Sequence, residues 1–247
     1  SINVAPLNAM PSFSLSNGGL VLGSEDSGEV ELPFAADLSP GEPAADQGQT
    51  LSWNVTGYTN AALFLTPPRL VARGGVGYVA FAPAPDAFGE SVITCELLDS
   101  GGTLRVALDK GSDTPTLSEK GSDRTPPTSF VLRVQGRNDP PSFTMRDVKV
   151  EADAGPIVVY PFAVGMSTGP STEQDQTWRF ELARVLNAGS FWGAEAFFAQ
   201  PPKMSPNGTL EFTVGARVSG TVRVTFAMVD SGPSDLLAGD RNSHEET

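Results

Sequence analysis

The sequence predicts an all-β chain of two tandem antiparallel β-sandwiches, and three observations carry that prediction. Short runs of alternating apolar and polar residues are divided by Gly, Pro, Asp and Ser, the pattern of strands and turns. No window joins helical periodicity to helix formers over the ~12 residues that an ordinary helix needs. The strand-like runs also occur twice, in the same order, in the two halves of the chain.

In the first half the runs are EVELPF (29–34), TLSWNV (50–55), VGYVAF (76–81), SVITCEL (91–97) and SFVLRV (129–134). In the second they are TWRFEL (177–182), TLEFTV (209–214) and TVRVTFAMV (221–229). Each alternates with period two, so one set of side chains faces a core and the other faces water. With the segments between them they make about seven strands per half, the count of a sandwich of the immunoglobulin or cadherin kind.

The repeat is visible residue by residue. Residues 1–13, SINVAPLNAMPSF, are a weak copy of 131–143, VLRVQGRNDPPSF: Val4 aligns with Val134, Pro11 with Pro141, Ser12 with Ser142 and Phe13 with Phe143. Further on, Phe34 pairs with Phe162, Gln49–Thr50 with Gln176–Thr177, Trp53 with Phe180, Pro67–Pro68 with Pro201–Pro202, Phe81 with Phe212, and ITCELLDSG (93–101) with VTFAMVDSG (224–232). The expected organisation is the end of a preceding repeat at 1–10, repeat 1 at 11–138, and repeat 2 at 139–247. Repeat 2 shows no run equivalent to SFVLRV after its DSG turn, so it is expected to lack its last strand within this sequence. The chain accordingly reads as a segment of a longer array. The missing strand would come from beyond Thr247 or, by β-augmentation, from a neighbouring subunit.

Composition narrows the function. A net charge of −13 supplies no basic face for a phosphate backbone, so nucleic acid is not an expected partner. No stretch approaches ~18 consecutive apolar residues, so no membrane span is expected in this segment. His244 is the one histidine, and GxSxG, GxxxxGK[ST] and HExxH are absent, so no catalytic activity is expected. Cys95, the one cysteine, shares a strand face with Ile93 and Leu97 and reads as a small core residue rather than a reactive thiol. Phe191–Trp192 and Phe197–Phe198 form an aromatic cluster that is either core filling beside a β-bulge or an adhesive patch.

Two sets of residues carry the remaining chemistry. Glu25 or Asp26 in the SEDSG turn, Asp99 in the DSG turn, and Asn138 and Asp139 between the modules supply the oxygen ligands that Ca²⁺ requires at a module junction; ordinary Asx turns are the competing reading. Two N-x-T sequons, at Asn207 and Asn54, mark expected glycosylation sites. Asn207 lies in a Pro-Asn-Gly turn, whereas Asn54 is accessible only because Leu51, Trp53 and Val55 take the inner face of its strand.

The order PSF, an acidic-Gly opening (SEDSG, EADAG), FA, QT, SPNGTLEF, DSG and a closing NDPP resembles the Ig-like/cadherin-like tandem repeats of large extracellular proteins, across essentially the whole chain. GRNDPPSF (136–143) is its most specific piece and is similar to a cadherin-type linker; at the first boundary Ala9 stands where the linker has an acidic residue. The resemblance implies a structural repeat of an extracellular filament or surface appendage, such as the algal flagellar mastigoneme, with neighbouring repeats and filament subunits as partners. The alternative it leaves open is a stalk segment of a cell-surface adhesin, stiffened by calcium.

Overall fold

The computed structural model describes residues 8–41, 48–108, 115–119, 122–187, 193, 196–232 and 243–246. The fold is all-β with several antiparallel sheets, and no α-helix occurs among the described residues. The chain forms two compact units, Ser1–Gly136 and Arg137–Thr247, divided two residues ahead of the expected 138/139 boundary. Asn8, assigned from sequence to the end of a preceding repeat, belongs to the first unit.

Unit 1 has two four-stranded sheets. One is ordered β1 (Ser12–Leu15), β3 (Val30–Ser39), β6 (Val76–Pro83), β5 (Phe64–Arg73); the other is ordered β2 (Leu20–Ser24), β10 (Thr128–Gln135), β7 (Gly89–Asp99), β4 (Leu51–Tyr58). All neighbours are antiparallel except β2 and β10, which run parallel. Between β7 and β10 a further hairpin joins β8 (Leu104–Leu108) to β9 (Pro115–Glu119).

Alternation decides what each strand buries. Along β7, Ser91, Ile93, Cys95, Leu97 and Asp99 are buried, while the residues between them are exposed or half-buried. The two sheets share one core: Phe34, Val79 and Phe81 from the first meet Val21, Ile93, Cys95, Phe130, Leu132 and Val134 from the second. Phe34 stacks on Phe130 with ring centroids 4.4 Å apart, and Trp53 packs 4.9 Å from both Phe13 and Phe34. Burial of each large side chain contributes ~1.5–3 kcal/mol relative to leaving it in water.

Unit 2 repeats the plan with shorter sheets: β11 (Ser142–Met145) with β13 (Ala163–Ser167); β12 (Pro156–Val159), β16 (Leu210–Val214) and β15 (Phe198–Met204); and β14 (Trp178–Asn187), β17 (Val222–Asp230) and β18 (Ser243–Glu246). Phe143, Phe162, Met204, Leu210, Phe226 and Met228 form its core. Phe197 joins Val214 and Val218 in a second cluster with Phe198 packed against it, so this pair fills a core. Phe191 and Trp192 lie outside the described residues. A strand does follow the second DSG turn, which corrects the expected absence: β18 pairs antiparallel with Phe226–Val229 of β17.

Two repeated signatures acquire a physical reason. The proline pairs lie inside β5 and β15, edge strands of their sheets, at register shifts between Thr66 and Arg69 and between Gln200 and Lys203. Proline has no N–H for a ladder, so an edge bulge is where a strand tolerates it. The FA dipeptide faces a glycine in each unit. A Cβ on Gly77 would come within 3.0 Å of Phe34 and 3.1 Å of the Ala35 Cβ, and one on Gly208 would collide with the Ala163 carbonyl oxygen.

Cys95 is fully buried. Burial, and then the neighbouring Glu96 charge, push its thiol from the ordinary 9.0 to about 12. The folded state therefore holds this proton more tightly than the unfolded chain does. Its contribution is complete below pH 9.0 and is lost at ~1.4 kcal/mol per pH unit as pH rises toward about 12. A thiol reagent at pH 8 is expected to leave the native protein unmodified and to label it in denaturant, and Cys95→Ala is expected to remove this part of the alkaline loss. Rapid labelling of the native protein would contradict the burial.

Candidate functional site

The residues that tie each unit together come from three sequence landmarks: the Asn three positions ahead of PSF, the Gln of QT, and the Asp and Gly of DSG. In unit 1, Asn8 stands ahead of β1, Gln49 ahead of β4, and Asp99 at the end of β7, where Leu51 pairs with Asp99. Asn8 Nδ2 donates to Asp99 Oδ1 at 2.9 Å and to the Ser122 carbonyl at 2.8 Å, and Gln49 Nε2 donates to Asn8 Oδ1 at 2.7 Å. The Gly101 N–H donates to Asp99 Oδ1 at 2.8 Å and the Thr50 N–H to Ser100 Oγ at 3.0 Å. Asn8 is 5% exposed and Asp99 9%.

Unit 2 builds the same arrangement from the counterparts. Asn138 Nδ2 donates to Asp230 Oδ1 at 3.1 Å and Oδ2 at 3.3 Å, and Gln176 Nε2 donates to Asn138 Oδ1 at 2.8 Å. The Gly232 N–H donates to Asp230 Oδ1 at 2.9 Å, and the Thr177 N–H to Ser231 Oγ at 3.1 Å. Asn138 is 6% exposed and Asp230 3%.

This latch joins residues 91 positions apart in unit 1 and 92 in unit 2. Its chemistry is that of a fastening. In unit 1 the carboxamide of Asn8 commits both N–H bonds and its oxygen inside the protein, so it presents nothing to a substrate. The glycine is equally constrained: a Cβ on Gly101 would collide with Asn8 Oδ1, and one on Gly232 with Asn138 Oδ1. The sequence showed QT and DSG as landmarks, but nothing in it linked them to Asn8 and Asn138, which topology brings together across a whole unit.

The residues expected to hold calcium are distributed differently from the expectation. Asp99 and Asn138 are each used within their own unit, by Asn8 and by Asp230 with Gln176. Glu25 sits at the other end of unit 1, where its N–H donates to the Gln135 carbonyl at 3.0 Å beside the Val134–Gly89 pair. The 11 residues of β7 separate that end from Asp99 by about 35 Å, at ~3.3 Å per residue, so a ligand set joining Asp99 to Glu25 and Asp26 is corrected. Asp26 instead approaches Asp86, which sequence reading missed, with carboxylate oxygens within 4.8 Å. In unit 2 the counterparts are Asp153 and Arg217, and the Arg217 N–H donates to Asp153 Oδ1 at 2.9 Å. The Asp139 N–H donates to Glu173 Oε1 at 3.1 Å.

Both sequon asparagines are exposed. Asn207 caps the β15–β16 turn, its Oδ1 accepting from the Thr209 N–H at 3.1 Å. Asn54 points away from half-buried Leu51, Trp53 and Val55, and its Nδ2 donates to Glu96 Oε2 at 3.3 Å.

No protein-family model matches the chain, and no curated protein matches it. Among solved structures, an endo-fucoidan hydrolase of glycoside hydrolase family 107 is similar at a TM-score of 0.29 and 11% identity, over 94% of this chain. The match spans 28% of the hydrolase chain, and likeness at this level carries no argument about fold or activity. Among the described residues, no helix is long and apolar enough to cross a membrane.

Gly101→Ala and Gly232→Ala are each expected to destabilise their own unit by ~2 kcal/mol or more, because the intruding methyl separates a buried amide from a buried carboxylate. Gly48→Ala, which meets nothing within 4 Å, is the control and is expected to fall within ~0.5 kcal/mol of the parent. Urea unfolding followed at Trp53 for unit 1 and Trp178 for unit 2 provides the measurement. Gly101 or Gly232 variants as stable as Gly48→Ala would refute the latch.

Proposed function

We propose that this chain is a structural repeat segment of an extracellular filament or surface appendage of the mastigoneme kind, built from Ig-like/cadherin-like modules and performing no catalysis. The observation that carries the reading is the latch repeated in both units, with the same residue types in the same roles. It fastens the chain at the point where it enters each unit, so a pull along the polypeptide meets a buried charge-assisted tie before it reaches the sheets. A device of that kind serves length and load. The repeated landmarks and two exposed sequons support the same reading.

Immunogold labelling with antibodies against the chain is expected to decorate surface filaments at regular spacing. Peptides spanning residues 203–211 from native material are expected to carry glycan mass at Asn207, and peptides containing residues 54–56 to show lower occupancy at Asn54, where the amide is already held by Glu96. Label confined to the cell interior, with only unmodified peptide, would sink the proposal.

The calcium-stiffened adhesin stalk is the second reading, and the Asp26–Asp86 carboxylate pair is the observation that favours it. Calorimetry with millimolar Ca²⁺ separates the two: heat of binding with a higher Tm favours the stalk, and a flat titration with unchanged Tm removes calcium from the account.

A further inference from the structure

The hairpin β5–β6 and its counterpart β15–β16 differ at their tips. The pair Leu70–Val79 in unit 1 corresponds to Met204–Leu210 in unit 2. Beyond it the unit 1 ladder runs on through Val71–Tyr78, Ala72–Gly77 and Arg73–Val76, whereas the unit 2 ladder ends there and the chain turns through residues 205–209. On the neighbouring strand β3, Glu31 faces Ala80 and Pro33 faces Tyr78. Arg73 pairs with Glu31 and lays its guanidinium 4.7 Å from the centroid of the Tyr78 ring, so this half-buried aromatic has an ionic cover.

Unit 2 keeps neither the acid nor the guanidinium of that cover. Val158 stands where Glu31 stands, facing Glu211, and the aromatic has moved across the ladder. Val159 pairs with Leu210, and the N–H groups of Phe162 and Ala163 donate to the Gly208 carbonyl at 2.9 and 3.1 Å, so Tyr160 stands against Thr209. Val159 packs on the core, which leaves Val158 and Tyr160 on the outer face at 66% and 67% exposure. No guanidinium lies over a tyrosine in this unit among the described residues. The exposed pair therefore occupies a place that the sister unit covers.

What unit 2 has in its place is a sequon. The shorter hairpin puts Asn207 at its tip, exposed, with Oδ1 accepting the Thr209 N–H at 3.1 Å. That bond fixes the carboxamide beside the residue that stands against Tyr160, and Nδ2, the atom that carries a glycan, makes no hydrogen bond among the described residues. We propose that the first N-acetylhexosamine of a glycan on Asn207 lies over the Tyr160 ring and against Val158, covering them as Arg73 covers Tyr78. Neighbouring strands lie ~4.8 Å apart, about the length of one pyranose ring, so a sugar on Nδ2 spans from the turn to β12. One face of the sugar is lined by C–H bonds, which meet the negative face of the aromatic ring, while its hydroxyls stay in water. The linkage joins Nδ2 to the anomeric carbon, as the amide gives up a proton and the sugar leaves a lipid pyrophosphate donor. This inference rests on the glycosylated, extracellular reading and names what the sugar touches.

The 1–247 chain secreted from cultured eukaryotic cells, with each glycan trimmed to its first sugar by an endoglycosidase, tests the contact. Nitration by tetranitromethane, read by mass spectrometry of the peptide containing Tyr160, is expected to be ~fivefold slower than in the Asn207→Gln variant, the protection that a ring contact of ordinary strength gives. Asn207→Gln is also expected to lower the urea midpoint of unit 2, followed at Trp178, in the parent but not in a Tyr160→Ala background, where the ring is gone. Equal nitration with Asn207 occupied, or a glycan effect on the midpoint that survives Tyr160→Ala, would overturn the contact and leave the glycosylated reading standing. Asn207 unmodified in the secreted chain would remove the contact and count against that reading as well.

Discussion

A carboxamide buried between a carboxylate and a second carboxamide closes each unit at the point where the chain enters it. Asparagine suits that position because its planar amide offers two donors and one acceptor at fixed angles. Aspartate there would set two carboxylates against each other, and leucine would leave Asp99 or Asp230 buried without its amide donor, a loss costing ~1–3 kcal/mol. The rest follows from holding this group in place. Glutamine fixes the amide oxygen, glycine leaves room for it, and the serine of each DSG turn receives the backbone N–H ahead of the strand that brings the glutamine near.

Around that tie the two cores are variations on one pattern. Positions that must touch keep their size class: Phe34 with Phe162, Phe13 with Phe143, and the small FA alanine against a glycine. Elsewhere the repeats diverge. Trp53 buries an indole N–H that finds no hydrogen-bond partner among the described residues, and its counterpart Phe180 has no such group to satisfy. Asp26 and Asp86 become Asp153 and Arg217, and Asp153 accepts from the Arg217 backbone N–H instead of approaching a second carboxylate. The differences lie in side chains that repacking can accommodate, whereas the latch residues are repeated without change.

All eight runs read from alternation became strands, because a strand with one buried face writes period two into its sequence. The strands that escaped are short, irregular or proline-bearing. β5 and β15 carry Pro67–Pro68 and Pro201–Pro202 at bulges, and β9 lies in a Ser/Thr/Pro-rich stretch. β18 is four residues long in a polar context. The site was less legible for a different reason. The sequence marks both Asp99 and Asn138 but groups them as ligands of one calcium site; each instead pairs with a residue about 90 positions away, a contact that depends on sheet order. Cys95 was legible because its neighbours on the strand face, Ile93 and Leu97, already described a core.

The central claim is that Asn8–Asp99 and Asn138–Asp230 are one device used twice, and double-mutant cycles on the two pairs test it most directly. With alanine at each position singly and together, urea unfolding is expected to give coupling energies of about 1.5–3 kcal/mol in both units, the range for hydrogen bonds to a charged group. Coupling near zero in either unit would contradict the account.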